Sequence, residues 1–310
     1  MSNGAGVRPL VALTGGTGFV GRATLAALTR AGIEVRALAR TVPADRGGAE
    51  WVQGNLSDTA ALARLVRGAE AVIHVAGLTT APDAASFEAA NVAGTLKVVK
   101  AATEAGVPRL VCVSSLAARE PSLSAYGASK ERAERLVAAS GLDWTIVRPP
   151  GVYGPWDRDY LEMFKLARKG VVPVPPPGRS SLIHVQDLAE LLVALLPGGE
   201  AVTHRTFEPD DGHAGGWSHR ELARVIGWAV GRRPWVIHLP RPLLEQASRA
   251  DSLVRRSRAR LTKDRVGYMT HPDWVARPEF AVPDALWRPK IPTREGLRAT
   301  ARWYREKGWL

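Results

Sequence analysis

Along the first half of the chain, short apolar runs alternate with segments of helical spacing. Leu10–Leu13 is apolar and ends in glycines; Phe19, Val20, Ala23, Ala26 and Ala27 then follow the repeat of an amphipathic helix. Glu34–Leu38 predicts a second strand and Trp51–Gln53 a short third. A helix is expected over Thr59–Val66, with Ser57 or Asp58 placed to cap it. Ala71–Val75 and Arg109–Val113 predict strands, Phe87–Glu104 contains a long helix, and Tyr126–Ala139 is another helix. Trp144–Val147 is a strand that runs into Pro149-Pro150. This alternation predicts an α/β fold, a doubly wound parallel sheet with helices on both faces. Ligands of such sheets bind beyond the carboxyl ends of the strands, so the residues after each strand are the candidates.

The first of these turns has a physical reason for each glycine. Gly15 permits the sharp turn, Gly18 removes the Cβ that would keep backbone from phosphate, and Gly21 lets the helix pack on the sheet. The free N–H groups around Thr17, Gly18, Phe19 and Val20, at the positive end of the helix dipole, then face an anion such as a dinucleotide pyrophosphate. After strand two stands Arg40, with Arg36 four residues earlier, and no carboxylate lies between Val35 and Pro43. A carboxylate there accepts from the ribose hydroxyls of NAD, whereas an arginine attracts the 2′-phosphate of NADP. NADP is therefore the expected cofactor, with NAD as the alternative. Asn55 and Leu56 after strand three, and Val75, Ala76 and Gly77 after strand four, are small or short enough to let adenine and ribose lie against backbone. His74 is read as a hydrogen-bonded core histidine.

Tyr126 and Lys130 are spaced i, i+4 and share one helix face. A lysine ammonium beside a tyrosine is expected to lower the phenol's pKa toward the working range, and Ser115, at the end of strand five, to hold a substrate oxygen near it. Such a set moves a proton to or from a carbonyl/alcohol oxygen while hydride passes at carbon.

TGGTGFVG, HVAG, NVAGT, VSS, YGASK, VRPPGVYGP and IHVQDLAELL occur in that order. Over roughly residues 8 to 200 the chain resembles the extended short-chain dehydrogenase/reductase family. The resemblance implies a Rossmann domain, an NAD(P) cofactor, and a catalytic set falling on Ser115, Tyr126 and Lys130, with Lys130 also on the nicotinamide ribose. It implies that Asn91 fixes the helix beside the nicotinamide and that the segment from Pro149 through Val152 to Tyr153 lies under the ring. Asn55 departs from the Asp common near the adenine. The expected domains are 1–150 with a returning segment about 180–200, and a smaller substrate-binding region over 151–310 that includes Trp217–Val230 and a helix Thr293–Lys307. Within it, Met163–Gly170 looks helical, Val171–Gly178 is a proline-rich loop, and Asp187 caps a helix Leu188–Leu196. VRALAR is also reminiscent of an atypical branch with a complex I accessory subunit, whose members often lack the Tyr–Lys pair that this chain keeps.

The chain has 310 residues and a net charge of +12, and residues 241–310 hold 16 Lys+Arg against 8 Asp+Glu. Leu243, Leu244, Ala247, Ala250, Leu253, Val254 and Leu261 follow helical spacing, with Arg249, Arg255, Arg256, Arg258 and Arg260 around them. Such a segment either packs on its own domain or lies on an anionic bilayer. The single cysteine, Cys112, is read as a small buried hydrophobe. No apolar run is long enough to span a membrane and the first residues lack a signal-peptide core, so the expectation is a cytoplasmic protein, peripheral at the inner membrane surface if the basic helix binds lipid. The expected partner is a small-molecule substrate, with no nucleic acid and no metal, and the chain a monomer or homodimer. The function expected is an NADP-dependent oxidoreductase on a largely apolar ketone or alcohol, of steroid or ketosphingolipid type. A nucleotide-sugar epimerase or dehydratase and a non-catalytic assembly subunit are the alternatives. Leu116-Ala117 after Ser115, where a dehydratase carries an acidic pair, weighs against the first of these.

Overall fold

The computed structural model describes residues 9–255 and 261–310. Its strands are β1 (Leu10–Thr14), β2 (Glu34–Ala39), β3 (Glu50–Gln53), β4 (Ala71–His74), β5 (Arg109–Val113), β6 (Asp143–Val147) and β7 (Gly151–Tyr153), then β8 (Val171–Val174), β9 (Arg179–Ser180), β10 (Leu182–His184), β11 (Arg205–Phe207), β12 (Trp217–Ser218), β13 (Trp235–His238) and β14 (Asp273–Trp274). The helices are α1 (Phe19–Arg30), α2 (Thr59–Val66), α3 (Ala84–Phe87), α4 (Gly94–Glu104), α5 (Ala125–Ala138) and α6 (Leu161–Lys169), then α7 (Val185–Ala194), α8 (His219–Ala229), α9 (Arg241–Arg255), α10 (Lys263–Met269) and α11 (Thr293–Glu306).

Seven strands form one sheet in the order β11-β6-β5-β4-β1-β2-β3, and every neighbouring pair is parallel. The chain winds outward from β1 through β2 to β3, then returns to β4 on the other side of β1. That reversal opens a crevice between the carboxyl ends of β1 and β4. Alternate strand residues feed two apolar layers. Val11, Leu13, Val35, Ile73 and Val111 pack with Leu25 and Leu28 of α1 and Leu188 and Leu191 of α7. Ala12, Val72, Leu110, Cys112 and Ile146 pack with Leu62 and Leu65 of α2 and Val98 and Ala102 of α4. A third cluster joins α6, α8 and α11 through Phe164, Leu222, Ile226, Leu297, Ala301 and Tyr304.

Four local expectations change. Phe87–Glu104 is not one α-helix: a π-helical segment, Glu88–Ala93, stands between α3 and α4. The Thr95 hydroxyl donates to the Asn91 carbonyl at 2.6 Å at this wide turn. The first part of the proline-rich loop is strand β8, paired in parallel with β13; as one of a two-stranded pair it tolerates Pro173. Asp187 does not cap α7, which starts at Val185 with His184 as its cap. Its carboxylate instead accepts the Lys290 and Ile291 N–H groups at 3.1 and 3.0 Å, tying the chain before α11 to the sheet. Finally, Asp58 rather than Ser57 caps α2, accepting from Ala61 N at 2.9 Å. The basic segment is helical over Arg241–Arg255, while Arg256, Arg258 and Arg260 lie outside the described residues. Among the described residues no helix is long and apolar enough to cross a membrane.

Candidate active site

The glycine turn closes tightly at the mouth of the crevice. Gly15 has φ +77°, and a Cβ on it would lie 2.7 Å from the Ala76 backbone nitrogen. A Cβ on Gly21 would lie 2.0 Å from the Gly15 carbonyl oxygen, so β1, α1 and the loop after β4 meet at van der Waals limits. Gly18 is different: a Cβ there meets nothing nearer than the Gly15 carbonyl at 3.3 Å. Gly18 is also the N-cap of α1 and leaves its first-turn N–H groups, at Phe19 and Val20, without a side-chain partner. An open, uncapped helix start with exposed Thr17 and Gly18 fits a pyrophosphate. Arg22, which the sequence reading passed over, donates to the Thr17 carbonyl at 2.8 Å and stacks 4.9 Å from the Trp156 ring.

At the end of β2 the two arginines separate. Arg36 pairs with Glu50 at 2.9 Å and donates to the Arg67 carbonyl at 2.7 Å, closing the carboxyl end of α2. Arg40 is exposed and forms no hydrogen bond or ion pair with the described residues. Asn55 is exposed and accepts the Ser57 N–H at 2.7 Å, leaving its NH2 group outward. Leu56 packs on the bare Cα of Gly94.

The loop Val75–Gly77 hangs from a relay of buried hydroxyls. Thr14 Oγ1 accepts the Ala76 N–H at 3.2 Å and meets His74 Nδ1 at 2.7 Å, and His74 Nε2 meets Thr95 Oγ1 at 2.9 Å. Because Thr95 donates its one proton to Asn91, Nε2 carries the imidazole hydrogen and Thr14 donates to Nδ1. Burial, with the nearby Lys130, pulls His74 down to about 3, so it stays neutral. Asn91, buried at 1 % exposure, uses its amide on the protein: Oδ1 accepts from Leu78 N at 2.7 Å, and Nδ2 donates to Leu78 O and Ser129 Oγ at 3.0 and 2.9 Å. Its side chain therefore positions the loop, where the sequence reading expected a contact to the cofactor. Pro149 is buried, its carbonyl accepting Leu116 N at 3.1 Å, and Val152 packs partly on the sheet.

Ser115 and Tyr126 come together where β5 ends. A Cβ on Gly127 would lie 2.5 Å from the Ala117 carbonyl oxygen, so glycine lets α5 settle against the turn after β5. Ser115 Oγ accepts from Ala117 N at 3.2 Å and is hydrogen-bonded to the Tyr126 phenol. The phenol ring packs between Phe87 and Tyr268, with centroids 5.8 and 5.9 Å away. Lys130 Nζ donates to the Val113 carbonyl at 2.8 Å and lies 3.8 Å from the position of a Cβ on Gly77. Burial pulls the lysine pKa down, against the pull of Cys112 and Glu134. The expected electrostatics are corrected on one point. Burial pushes the Tyr126 phenol well above its ordinary value, and the group that relieves it is Ser115, while Tyr268 and Asp159 push further up. The ammonium of Lys130 is turned to the Val113 carbonyl, so the phenol is held protonated.

Behind this set runs a buried charge chain that sequence reading missed. Ser114 Oγ donates to Glu134 at 2.5 Å, Arg148 bonds both Glu134 oxygens at 2.9 and 2.6 Å, and Arg148 faces Glu208 at 3.6 Å. Glu208 in turn meets Arg119 at 3.2 Å, and Arg119 holds the Asp273 and Val275 carbonyls, each at 2.9 Å. Asp264 of α10 accepts the Ala125 N–H at 2.5 Å at the start of α5. The one available signal was Glu134 four residues after Lys130, on the same helix face; its partners are remote in sequence.

Known proteins agree with this construction. Residues 15–197 match the family model described as NAD(P)H-binding. The chain is 37% identical over 313 residues to a ceramide reductase of Caulobacter vibrioides (strain NA1000 / CB15N), covering 98% of this chain and 96% of that protein. It is 35% identical over 173 residues, 48% of this chain and 52% of the relative, to a 4-hydroxy-2-methyl-3-oxo-4-farnesyl-3,4-dihydroquinoline-1-oxide ketoreductase of Stigmatella aurantiaca. The solved structure of MoeE5 in complex with UDP-glucose and NAD has the same fold, with a TM-score of 0.75 at 22% identity over 96% of this chain and 99% of that one. Crevice, helix start and whole-length similarity together make the chain a member of the NAD(P)H-binding, extended short-chain dehydrogenase/reductase and epimerase/dehydratase family, and an NAD(P)-dependent oxidoreductase.

Proposed function

We propose that this protein is an NADPH-dependent ketoreductase that converts a ketone on a ceramide-type lipid to the secondary alcohol. The observation that carries the reading is an apolar approach to the proton donor. Tyr126 shares a cluster with Ala81, Phe87, Ala117 and Tyr268, and Ala81 and Phe87 also line a pocket of about 710 Å³. The similarity to a ceramide reductase along nearly the whole chain supports the substrate class. We assign cofactor binding to residues 1–150 with the returning segment about 180–200, and substrate binding mainly to 151–310.

The roles of the side chains follow from their positions. Gly15, Thr17, Gly18, Phe19, Val20 and Gly21 would cradle the pyrophosphate and Arg40 the 2′-phosphate, with Asn55, Leu56, Val75, Ala76, Gly77, Lys130, Pro149 and Val152 along the rest of the dinucleotide. The bound nicotinamide supplies hydride to the carbonyl carbon. Ser115 donates to the carbonyl oxygen and fixes it beside Tyr126. Tyr126, kept protonated by burial, gives its proton to that oxygen as negative charge develops there. Lys130, near the crevice, bonds the ribose and draws the phenolate proton balance back. Reduction is the favoured direction, because a buried neutral phenol is an acid ready to donate.

The pocket's charged lining is Arg241 and Lys263 against Asp83, Glu245 and Asp264, with no cationic surplus for a nucleotide diphosphate. This weighs against the epimerase alternative, as does the burial of Leu116 and Ala117 after Ser115. The test is NADPH oxidation by the purified protein with a keto-ceramide in mixed micelles, beside UDP-glucose and a steroid ketone. Turnover of the keto-ceramide above the other two is expected; turnover of the nucleotide sugar alone overturns the proposal.

A further inference from the structure

We infer that α9 and β13 form a docking surface for an anionic lipid bilayer, next to the rim of the substrate pocket. The inference deepens the ketolipid reading above and rests on it for the identity of the cargo, though the surface stands on its own observations. In α9 the apolar positions divide between two sides. Leu244 and Ser248 face the protein at 5 % and 2 % exposure, whereas Leu243, Leu253 and Val254 are 50 %, 80 % and 81 % exposed. Leu243, Ala247, Ala250 and Val254, all exposed, are spaced 4, 3 and 4 apart and run along one stripe of the helix.

The polar side is turned the other way. Arg241 and Glu245, ion-paired at 2.9 Å, line the substrate pocket. A helix that shows water its leucines and keeps an ion pair over a pocket is inverted for a water-facing role. Two residues before α9, strand β13 ends, and on it Trp235 and Ile237 are 78 % and 47 % exposed, one period-two step apart on the same face. Aromatic and branched side chains standing out from an edge strand add to the same kind of surface.

Charge selects the occupant. Arg232 and Arg233 precede Trp235, and Arg249 and Arg255 flank the helix stripe, all exposed. The acidic residues of the segment are few, Glu245 paired to Arg241 and Asp251 paired to Arg255 at 3.2 Å. The sequence continues with Arg256, Arg258 and Arg260. A second copy of the chain would set arginine against arginine across a two-fold axis. An anionic bilayer instead takes apolar side chains at any spacing into its acyl boundary and phosphate headgroups onto the arginines. With α9 lying on the bilayer, Arg241 and Glu245 bring the pocket rim to the membrane, and a two-chain lipid reaches Tyr126 without crossing open water.

The experiment is co-sedimentation with vesicles of phosphatidylcholine containing phosphatidylglycerol, compared with phosphatidylcholine alone. The wild-type chain is expected to bind the anionic vesicles and not the neutral ones. Leu243→Gln with Val254→Gln, whose side chains are exposed and outside the pocket lining, should lower partitioning by about tenfold or more. Arg232→Gln with Arg233→Gln should weaken it and flatten its salt dependence. With a water-soluble short ketone the apolar variant should keep wild-type turnover, while reduction of a vesicle-embedded ketolipid falls in step with binding. No binding to anionic vesicles, equal binding to neutral ones, or conversion of a dimer to a monomer by the apolar pair overturns the inference. Vesicle binding with no ketone turned over in either form leaves the surface standing and removes the ketoreductase reading.

Discussion

Tyr126→Phe removes one oxygen from the centre of the proposed chemistry and changes little else. The ring stays in its cluster with Phe87, Ala117 and Tyr268, and the residue is 8 % exposed. The lost hydrogen bond is the one to Ser115, worth about 1 kcal/mol net, so folding stability should fall by no more than that. Turnover depends on something larger. A positioned general acid contributes about 10²–10⁴-fold, equivalent to about 3–5 kcal/mol of barrier. NADPH oxidation with the ketone substrate should therefore drop by at least about a hundredfold in kcat, while NADPH affinity, followed by fluorescence titration, stays within about threefold. The pH profile adds an independent signature. Because burial raises the phenol, the wild-type rate of reduction should stay level through neutral pH and beyond the point, about 10, where an ordinary tyrosine begins to lose its proton. A variant keeping more than a tenth of wild-type kcat, or an alkaline fall beginning near neutrality, would refute the assignment of Tyr126 as donor.

Two further outcomes are expected. Arg40→Asp replaces an unpaired cation at the end of β2 by an anion, and a 2′-phosphate carries about −1.5 to −2 charges; binding titrations should show NADPH weakened by about a hundredfold or more and NADH changed by less than about threefold, and equal losses would mean that Arg40 does not read the phosphate. His74 and His184 are pulled down to about 3 and about 4 by burial, so the unfolded chain binds more protons than the folded one as pH falls from 6.5 toward those values. Stability is therefore present above pH 6.5 and lost on acidification through that window; urea midpoints should fall accordingly, and His74→Gln should flatten the slope by about one proton. An unchanged slope in the variant would count against the neutral, relay-bonded imidazole.

The buried chain Ser114–Glu134–Arg148–Glu208–Arg119 gives the catalytic helix a connection to the C-terminal region. Glu208 and Arg119 have side chains 0 % and 6 % exposed, so their charges are balanced by each other and by Arg148 rather than by water. Such a chain holds α5 in one position relative to β6 and to the segment at Asp273–Val275, because breaking any link leaves a buried charge unpaired. Asp264 adds a second tie at the start of the same helix. The serine, tyrosine and lysine are thus placed by both halves of the chain.

What the sequence by itself determined was the part of the protein carried by local pattern. Period-two and continuous apolar runs located β1 to β6, and the glycines after β1 announced a helix start too tight for side chains, since steric limits of the backbone act within a few residues. Tyr126 and Lys130 were legible as neighbours from helical spacing alone. The tertiary structure decided whatever depends on partners distant along the chain. Phenol and lysine share a face, yet the direction of the phenol's pKa came from burial by Phe87 and Tyr268, one before and one far after it. Asp187 had the composition of a cap and became an anchor for Lys290 and Ile291, because a carboxylate takes whichever N–H groups folding brings to it. Arg36 and Arg40 look alike in sequence, and only the approach of Glu50 and the end of α2 engaged the first and left the second free. The basic helix carries an apolar pattern on more than one side; which side is covered was settled by the packing of Leu244 and Ser248, a choice local periodicity does not contain.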